Sequence, residues 1–157
     1  VTEAARAGAT ADERRVAVIT GASAGLGAAI AEALAMLGWK IAIGARRVDR
    51  LAAVAAGIRD KGGRVFAHVL DVSDAKSVDR FFEAVESEFG AVDVAVSNAG
   101  ICIPGLLHEV APEDLEAEVL TNLLGPIYVA RRCIPSMIRG AGGDLVFISS
   151  DNARAPR

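Results

Sequence analysis

A chain of 157 residues, 52% of them hydrophobic and 24% charged, has the size of one ordinary domain. With 17 basic against 20 acidic residues and a net charge of -3, it offers no electrostatic footprint for nucleic acid or an anionic membrane, and no apolar run approaches the roughly 18 residues of a spanning helix. Sixteen Gly set among regular apolar runs, with 5 Pro, exclude collagen-like and disordered chemistry.

The stretch Val1 to Arg15 is small, polar and mixed in charge, without the apolar centre of a secretory signal, and residues 1–14 read as a flexible arm. Val16 to Thr20 is almost continuously apolar, as a strand buried on both faces of a parallel sheet must be. A Gly-rich turn follows. Leu26, Ile30, Ala33, Leu34 and Leu37 recur at helical spacing over Leu26 to Leu37, and Gly38 ends that helix. Lys40 to Ala45 is a second strand. Asp49 to Lys61 is a helix with Leu51, Val54, Ala55 and Ile58 on one face, stopped by Gly62-Gly63.

Arg64 to Leu70 is the third strand, and Ser73 is positioned to cap a helix whose Val78, Phe81, Phe82, Val85 and Phe89 face inward before Gly90 closes it. Val92 to Val96 supplies a fourth strand. Pro112 to about Ile138 is helical in pattern, with Gly125-Pro126 expected to bend or interrupt it. Asp144 to Ser149 is the fifth strand.

Strands alternating with helical crossovers of this length specify an α/β, doubly wound, Rossmann-like parallel sheet of five strands, built from residues 15–157. Ligands of such sheets lie beyond the carboxyl ends of the strands, at Thr20-Gly21, Ala45-Arg46, Asp71-Val72, Ser97-Asn98 and Ser149-Ser150. Cys102 and Cys133 have no metal-ligand spacing, which favours a reduced, cytoplasmic setting. His68 and His108 have no second ligand at helix or ribbon spacing, and no metal site is expected.

Thr20-Gly21-Ala22-Ser23-Ala24-Gly25-Leu26-Gly27 follows a buried strand and opens a helix. Glycines there let the backbone approach a pyrophosphate, and free helix N–H groups bind it, which makes Gly21, Ser23, Gly25, Leu26 and Gly27 candidate cofactor contacts. The competing reading is a tight turn that merely packs glycine against the sheet. Asp71 could likewise cap the next helix, Asn98 could bond neighbouring loops, and Ser149-Ser150 could be an ordinary turn.

The turn T-G-x-x-x-G-x-G, with Asp71-Val72, Asn98-Ala99-Gly100, Asn122 and Ile148-Ser149-Ser150 in that order, resembles the short-chain dehydrogenase/reductase family over about residues 15 to 157. The resemblance implies that Asp71 and Val72 contact the adenine and that Asn98, Ala99 and Gly100 stand near the nicotinamide. It further implies that Ser150 polarises the substrate oxygen and that Asn122 orders a proton-relay water. The implied reaction moves a hydride between nicotinamide and a small-molecule carbonyl or alcohol, in a protein that is a homo-oligomer when complete.

Cofactor choice rests on the end of the second strand, where a carboxylate holds the ribose hydroxyls of NAD and an Arg takes the 2′-phosphate of NADP. The chain reads Gly44-Ala45-Arg46-Arg47, with no carboxylate before Asp49, so Arg46 and Arg47 favour NADP(H) over NAD(H). Ala24 lacks the basic character often found in that first turn in NADP-using relatives, and solvated arginines at a strand-helix junction are the competing reading.

The family's Y-x-x-x-K motif, expected about a dozen residues beyond Ser150, does not occur: the sole Tyr128 precedes Ser150 and is followed four residues later by Arg132. The expectation is therefore an N-terminal part of a longer oxidoreductase, inactive by itself for want of the Tyr and Lys, with an uncovered fifth strand as an open edge. A noncatalytic nucleotide-binding module and a protein-interaction scaffold are the alternatives. Substrate identity is not encoded in the generic loop Ile101 to Val110.

Overall fold

A computed structural model describes residues 15–150; the expected arm at residues 1–14 and the segment 151–157 lie outside the described residues. The order is β1 (Val16–Thr20), α1 (Gly25–Met36), β2 (Lys40–Ala45), α2 (Val48–Asp60), β3 (Arg64–Val69), α3 (Ala75–Phe89), β4 (Val94–Ser97), α4 (Pro112–Val119), a π-helical turn (Leu120–Leu124), α5 (Gly125–Arg139) and β5 (Asp144–Phe147). All strands are parallel, in the order β3-β2-β1-β4-β5. This is the expected doubly wound, Rossmann-like sheet.

Every residue of β1 is buried, because successive side chains leave a strand on opposite sides and both faces of the sheet are covered at this central strand. Ala17 and Ile19 join Ile41, Ile43, Leu51, Ala55 and Ile58 in the core beneath α1 and α2. Val16 and Val18 join Phe81, Phe82, Val85, Val129 and Cys133 in the core beneath α3 and α5. Continuous apolar patterning is thus the requirement of two cores at once. Val18 pairs with Ala42 on one side and Ala95 on the other, so β1 is where the winding reverses. The crevice opened by that reversal lies at the carboxyl ends of β1 and β4.

Several boundaries differ from the sequence reading, each for a visible reason. The cap of α3 is Asp74, whose side chain accepts from the Lys76 N–H at 2.9 Å, while Ser73 turns back to bond Asp71. β4 starts at Val94 rather than Val92: the Asp93 carboxylate takes the Val16 N–H at 2.7 Å, occupying the place where sheet pairing would begin. The long helix is interrupted at Leu120–Leu124, just before Gly125-Pro126, and Pro126, in the first turn of α5, has no N–H to give to a carbonyl of the preceding turn. Pro135 lies within α5, which nevertheless runs on to Arg139. β5 stops at Phe147, although the Ile148 N–H still reaches the Ser97 carbonyl at 3.0 Å.

α3 and α5 are tied by Arg132, which makes a two-pronged bond to Glu86 at 2.8 and 3.1 Å and lies over the Phe82 ring. This bond to Arg132 holds the Glu86 carboxyl below its ordinary value of 4.5. Burial pushes the Cys133 thiol up to about 11, and its S–H donates to the Val129 carbonyl. Cys133 is a core residue in its protonated form. β5 forms the sheet edge with Val146, Phe147 and Ile148 exposed.

Candidate functional site

A cleft of about 470 Å³ opens at the reversal point. It is lined by Gly21, Ser23 and Gly25 after β1, Arg46 and Arg47 after β2, Asp71 and Val72 after β3, and Asn98, Ala99 and Gly100 after β4. Ten of the twelve residues singled out as cofactor contacts therefore share one cavity, together with Ala24, Ala45, Leu70, Ile101 and Thr121.

The first turn shows why its glycines are spaced as they are. Gly21 has a φ of +68°, and a Cβ built on it would sit 2.7 Å from the Ala99 Cα, so both backbone conformation and space exclude a side chain. Its N–H and that of Ala22 donate to the Gly44 carbonyl at 2.8 and 3.3 Å, which ties the turn to β2. Gly27, outside the cleft, packs against Gly21, Ala22 and the Asn98 amide. Gly25, with φ +59°, has open space where a Cβ would stand. Leu26 is exposed beside the cleft. α1 begins with Ala24 as its cap, with no side-chain hydrogen bond and no acidic residue in the first turn. That leaves free N–H groups and the positive end of the helix dipole facing the cleft, an arrangement suited to a phosphate.

The wall from β4 is held by a latch that sequence reasoning missed. Thr20 is fully buried, and its Oγ1 accepts from the backbone N–H groups of Asn98 and Ala99, both at 3.0 Å. In return the Asn98 side-chain amide donates to the carbonyls of Thr20 and Gly21 at 2.9 and 3.4 Å. Only the polar residue closing an otherwise apolar strand hinted at this role.

Asp71 is partly committed to local structure, since its Oδ1 accepts from Ser73 N–H at 3.0 Å and Ser73 Oγ–H at 2.6 Å. Its own N–H donates to Ser77 Oγ at 3.0 Å. Val72 is buried and touches the place a Cβ of Gly125 would occupy. The two basic residues differ. Arg47 donates from Nε and Nη2 to Ser23 Oγ at 3.1 and 2.9 Å, whereas Arg46 has no hydrogen-bond or ion-pair partner among the described residues.

Asn122 lies in the π turn and outside this cleft. Its side-chain amide accepts from the Ile101 N–H at 2.9 Å and donates to the Ile101 carbonyl at 2.7 Å. Glu118 accepts from the Ile103 N–H at 2.6 Å, so the loop after β4 is pinned twice. Ser150 stands exposed past the carboxyl end of β5. Tyr128 packs against the α3–α5 core, and Lys61 pairs with Glu32. Among the described residues no three His, Cys, Asp or Glu side chains gather as metal ligands, and no helix is long and apolar enough to cross a membrane.

A family model described as short chain dehydrogenase matches residues 15–157. An uncharacterized oxidoreductase of Staphylococcus saprophyticus is 36% identical, over 87% of this chain and 58% of its own. The structure of an alcohol dehydrogenase from the archaeon Thermococcus sibiricus, complexed with 5-hydroxy-NADP, is 42% identical, with a TM-score of 0.86 over 91% of this chain and 61% of that one. The structure of L-sorbose reductase from Gluconobacter frateurii, complexed with NADPH and L-sorbose, is 37% identical, with a TM-score of 0.87 over 91% of this chain and 55% of that one. The chain thus spans little more than half the length of these relatives.

Proposed function

Because the chain belongs to the short-chain dehydrogenase family, we propose that residues 15–157 are the cofactor-binding part of an NADP(H)-dependent oxidoreductase acting on a small-molecule carbonyl or alcohol. The observation that carries the choice of cofactor is the charge around the cleft: Arg46, without a partner among the described residues, and Ser23-bound Arg47 stand at the end of β2, with no carboxylate before Asp49 in that connection. The glycine cradle at Gly21 and the uncapped start of α1 fit a pyrophosphate. In this reading the backbone of Gly21, Ser23, Gly25 and Leu26 forms the phosphate seat, with Gly27 packed behind it. Asp71 and Val72 border the adenine, Asn98 to Gly100 border the nicotinamide ring, and the arginines take the 2′-phosphate.

When bound, the nicotinamide supplies or accepts the hydride. Ser150 donates a hydrogen bond to the substrate oxygen, where negative charge accumulates during reduction. The Asn122 side chain holds Ile101 with one acceptor and one donor position and keeps one of each, so it positions the loop beside the nicotinamide site and can still order the proton-relay water. A cytoplasmic setting and homo-oligomeric assembly of the whole protein belong to the same reading.

Titration calorimetry tests the cofactor assignment. Losing a charge-assisted hydrogen bond costs about 1.5–3 kcal/mol, so joint Arg46→Ala and Arg47→Ala substitution should weaken NADPH by roughly 10- to 150-fold and change NADH much less. Equal losses for both cofactors would mean that the arginines only support the fold.

A further inference from the structure

We infer that Ser23 is a specificity-determining residue that acts by positioning Arg47, fixing a guanidinium at the first turn of the cleft so that a phosphorylated ribose is preferred over an unphosphorylated one. The inference rests on the NADP(H) reading above. The turn from Gly21 to Gly25 carries no charged side chain of its own. Arg47, the residue capping α2, reaches it from the neighbouring β2–α2 connection and places two of its nitrogens on one hydroxyl oxygen, at 3.1 and 2.9 Å.

Ser23 is only 6% exposed, so its hydroxyl cannot swing away into solvent. The contact is also one-sided: Arg47 has no carboxylate partner among the described residues, so its charge is oriented without being neutralised. A free arginine side chain would have to surrender about 2 kcal/mol of rotamer entropy on meeting a phosphate, and one already held at Nε and Nη2 has surrendered part of that beforehand. The guanidinium keeps further N–H donors for the ligand. Arg46, exposed and without a partner among the described residues, contributes charge without that preorganisation.

The test is calorimetric titration of NADPH and NADH into the 157-residue chain and its variants. Ser23→Ala should weaken NADPH roughly 3- to 10-fold, the worth of one modest hydrogen bond, and leave NADH within about twofold. Ser23→Thr, which retains the hydroxyl, should restore NADPH affinity. Added to Arg47→Ala, Ser23→Ala should cost nothing more, because its effect passes through the arginine. Arg47→Lys keeps the charge but cannot bring two nitrogens to the hydroxyl, and it should lose NADPH preference even if Ser23→Ala fails to fold. Additive losses from Ser23→Ala and Arg47→Ala would overturn the inference by showing that Ser23 meets the ligand directly. So would full NADPH preference in Ser23→Ala or Arg47→Lys, either of which would leave the NADP(H) assignment standing if Arg47→Ala still lost it. A parent chain that holds NADPH and NADH equally would overturn that assignment and this inference together.

Discussion

The side chain of Asn122 grips both polar groups of Ile101, accepting from its N–H at 2.9 Å and donating to its carbonyl at 2.7 Å across 21 residues of sequence. An amide matches a peptide group donor for acceptor, so the loop leaving β4 is held as if by one rung of a sheet. Two such bonds are worth about 1–3 kcal/mol net. Asn122→Ala should therefore accelerate hydrogen exchange at the Ile101 amide, and Asn122→Asp, which can accept but not donate, should fall between. Unchanged exchange in Asn122→Ala would show that the loop is held elsewhere.

The glycines of the first turn should separate fold from ligand. Gly25→Ala meets open space and carries only the left-handed backbone penalty, about 1–2 kcal/mol. Gly21→Ala carries the same penalty plus a collision with Ala99, and should lower stability further. Urea denaturation compares the two; equal midpoints would mean that the Ala99 backbone yields without cost.

The Glu86–Arg132 pair predicts a pH signature. Because the folded-state pKa of Glu86 is depressed below 4.5, its contribution to stability is fully present above that value and is lost as pH falls through the lowered one. With exposures of 27% and 20% the pair lies between the surface and buried regimes, and Glu86→Gln should cost about 1–3 kcal/mol at neutral pH. The gap in thermal midpoint between parent and variant should be constant above about pH 5 and close in more acid solution. A gap that persists undiminished at low pH would assign the effect to packing.

Turnover is expected to separate binding from catalysis. Tyr128 belongs to the α3–α5 core, and the three lysines lie on β2, at the end of α2 and on α3, so no Lys follows a Tyr by four residues among the described residues. A positioned general acid contributes roughly 10²- to 10⁴-fold. The purified 157-residue chain should bind NADPH yet oxidise none above background with a panel of ketones and aldehydes. Turnover abolished by Ser150→Ala would reveal a proton donor in this chain.

Strand β1 could be read from sequence to the residue and β2 to about its ends, because burial on both faces leaves only one pattern open to them. The four strand ends bearing Gly21, Arg46, Asp71 and Asn98 were legible for the same reason, as positions fixed by topology. What could not be read were bonds between distant segments: Asp93 to Val16, Thr20 to Asn98 and Asn122 to Ile101 each depend on a partner that only the fold brings near. The π turn was visible only as a disturbance near Gly125-Pro126, since composition records a break but not the geometry that absorbs it.

That turn makes chain length, rather than composition, the sensitive variable between Ala111 and Gly140. Each α-helical residue turns the chain by about 100° around the helix axis. A wide turn behaves as a helix with a residue inserted, and here it lets Asn122 meet Ile101 while Val129, Cys133 and Met137 still face the core. Deleting one residue from 120–124 would restore a regular helix and swing one of those two faces away. Substitutions in this stretch can be absorbed side chain by side chain; a one-residue deletion would force a choice between the loop it grips and the core it fills.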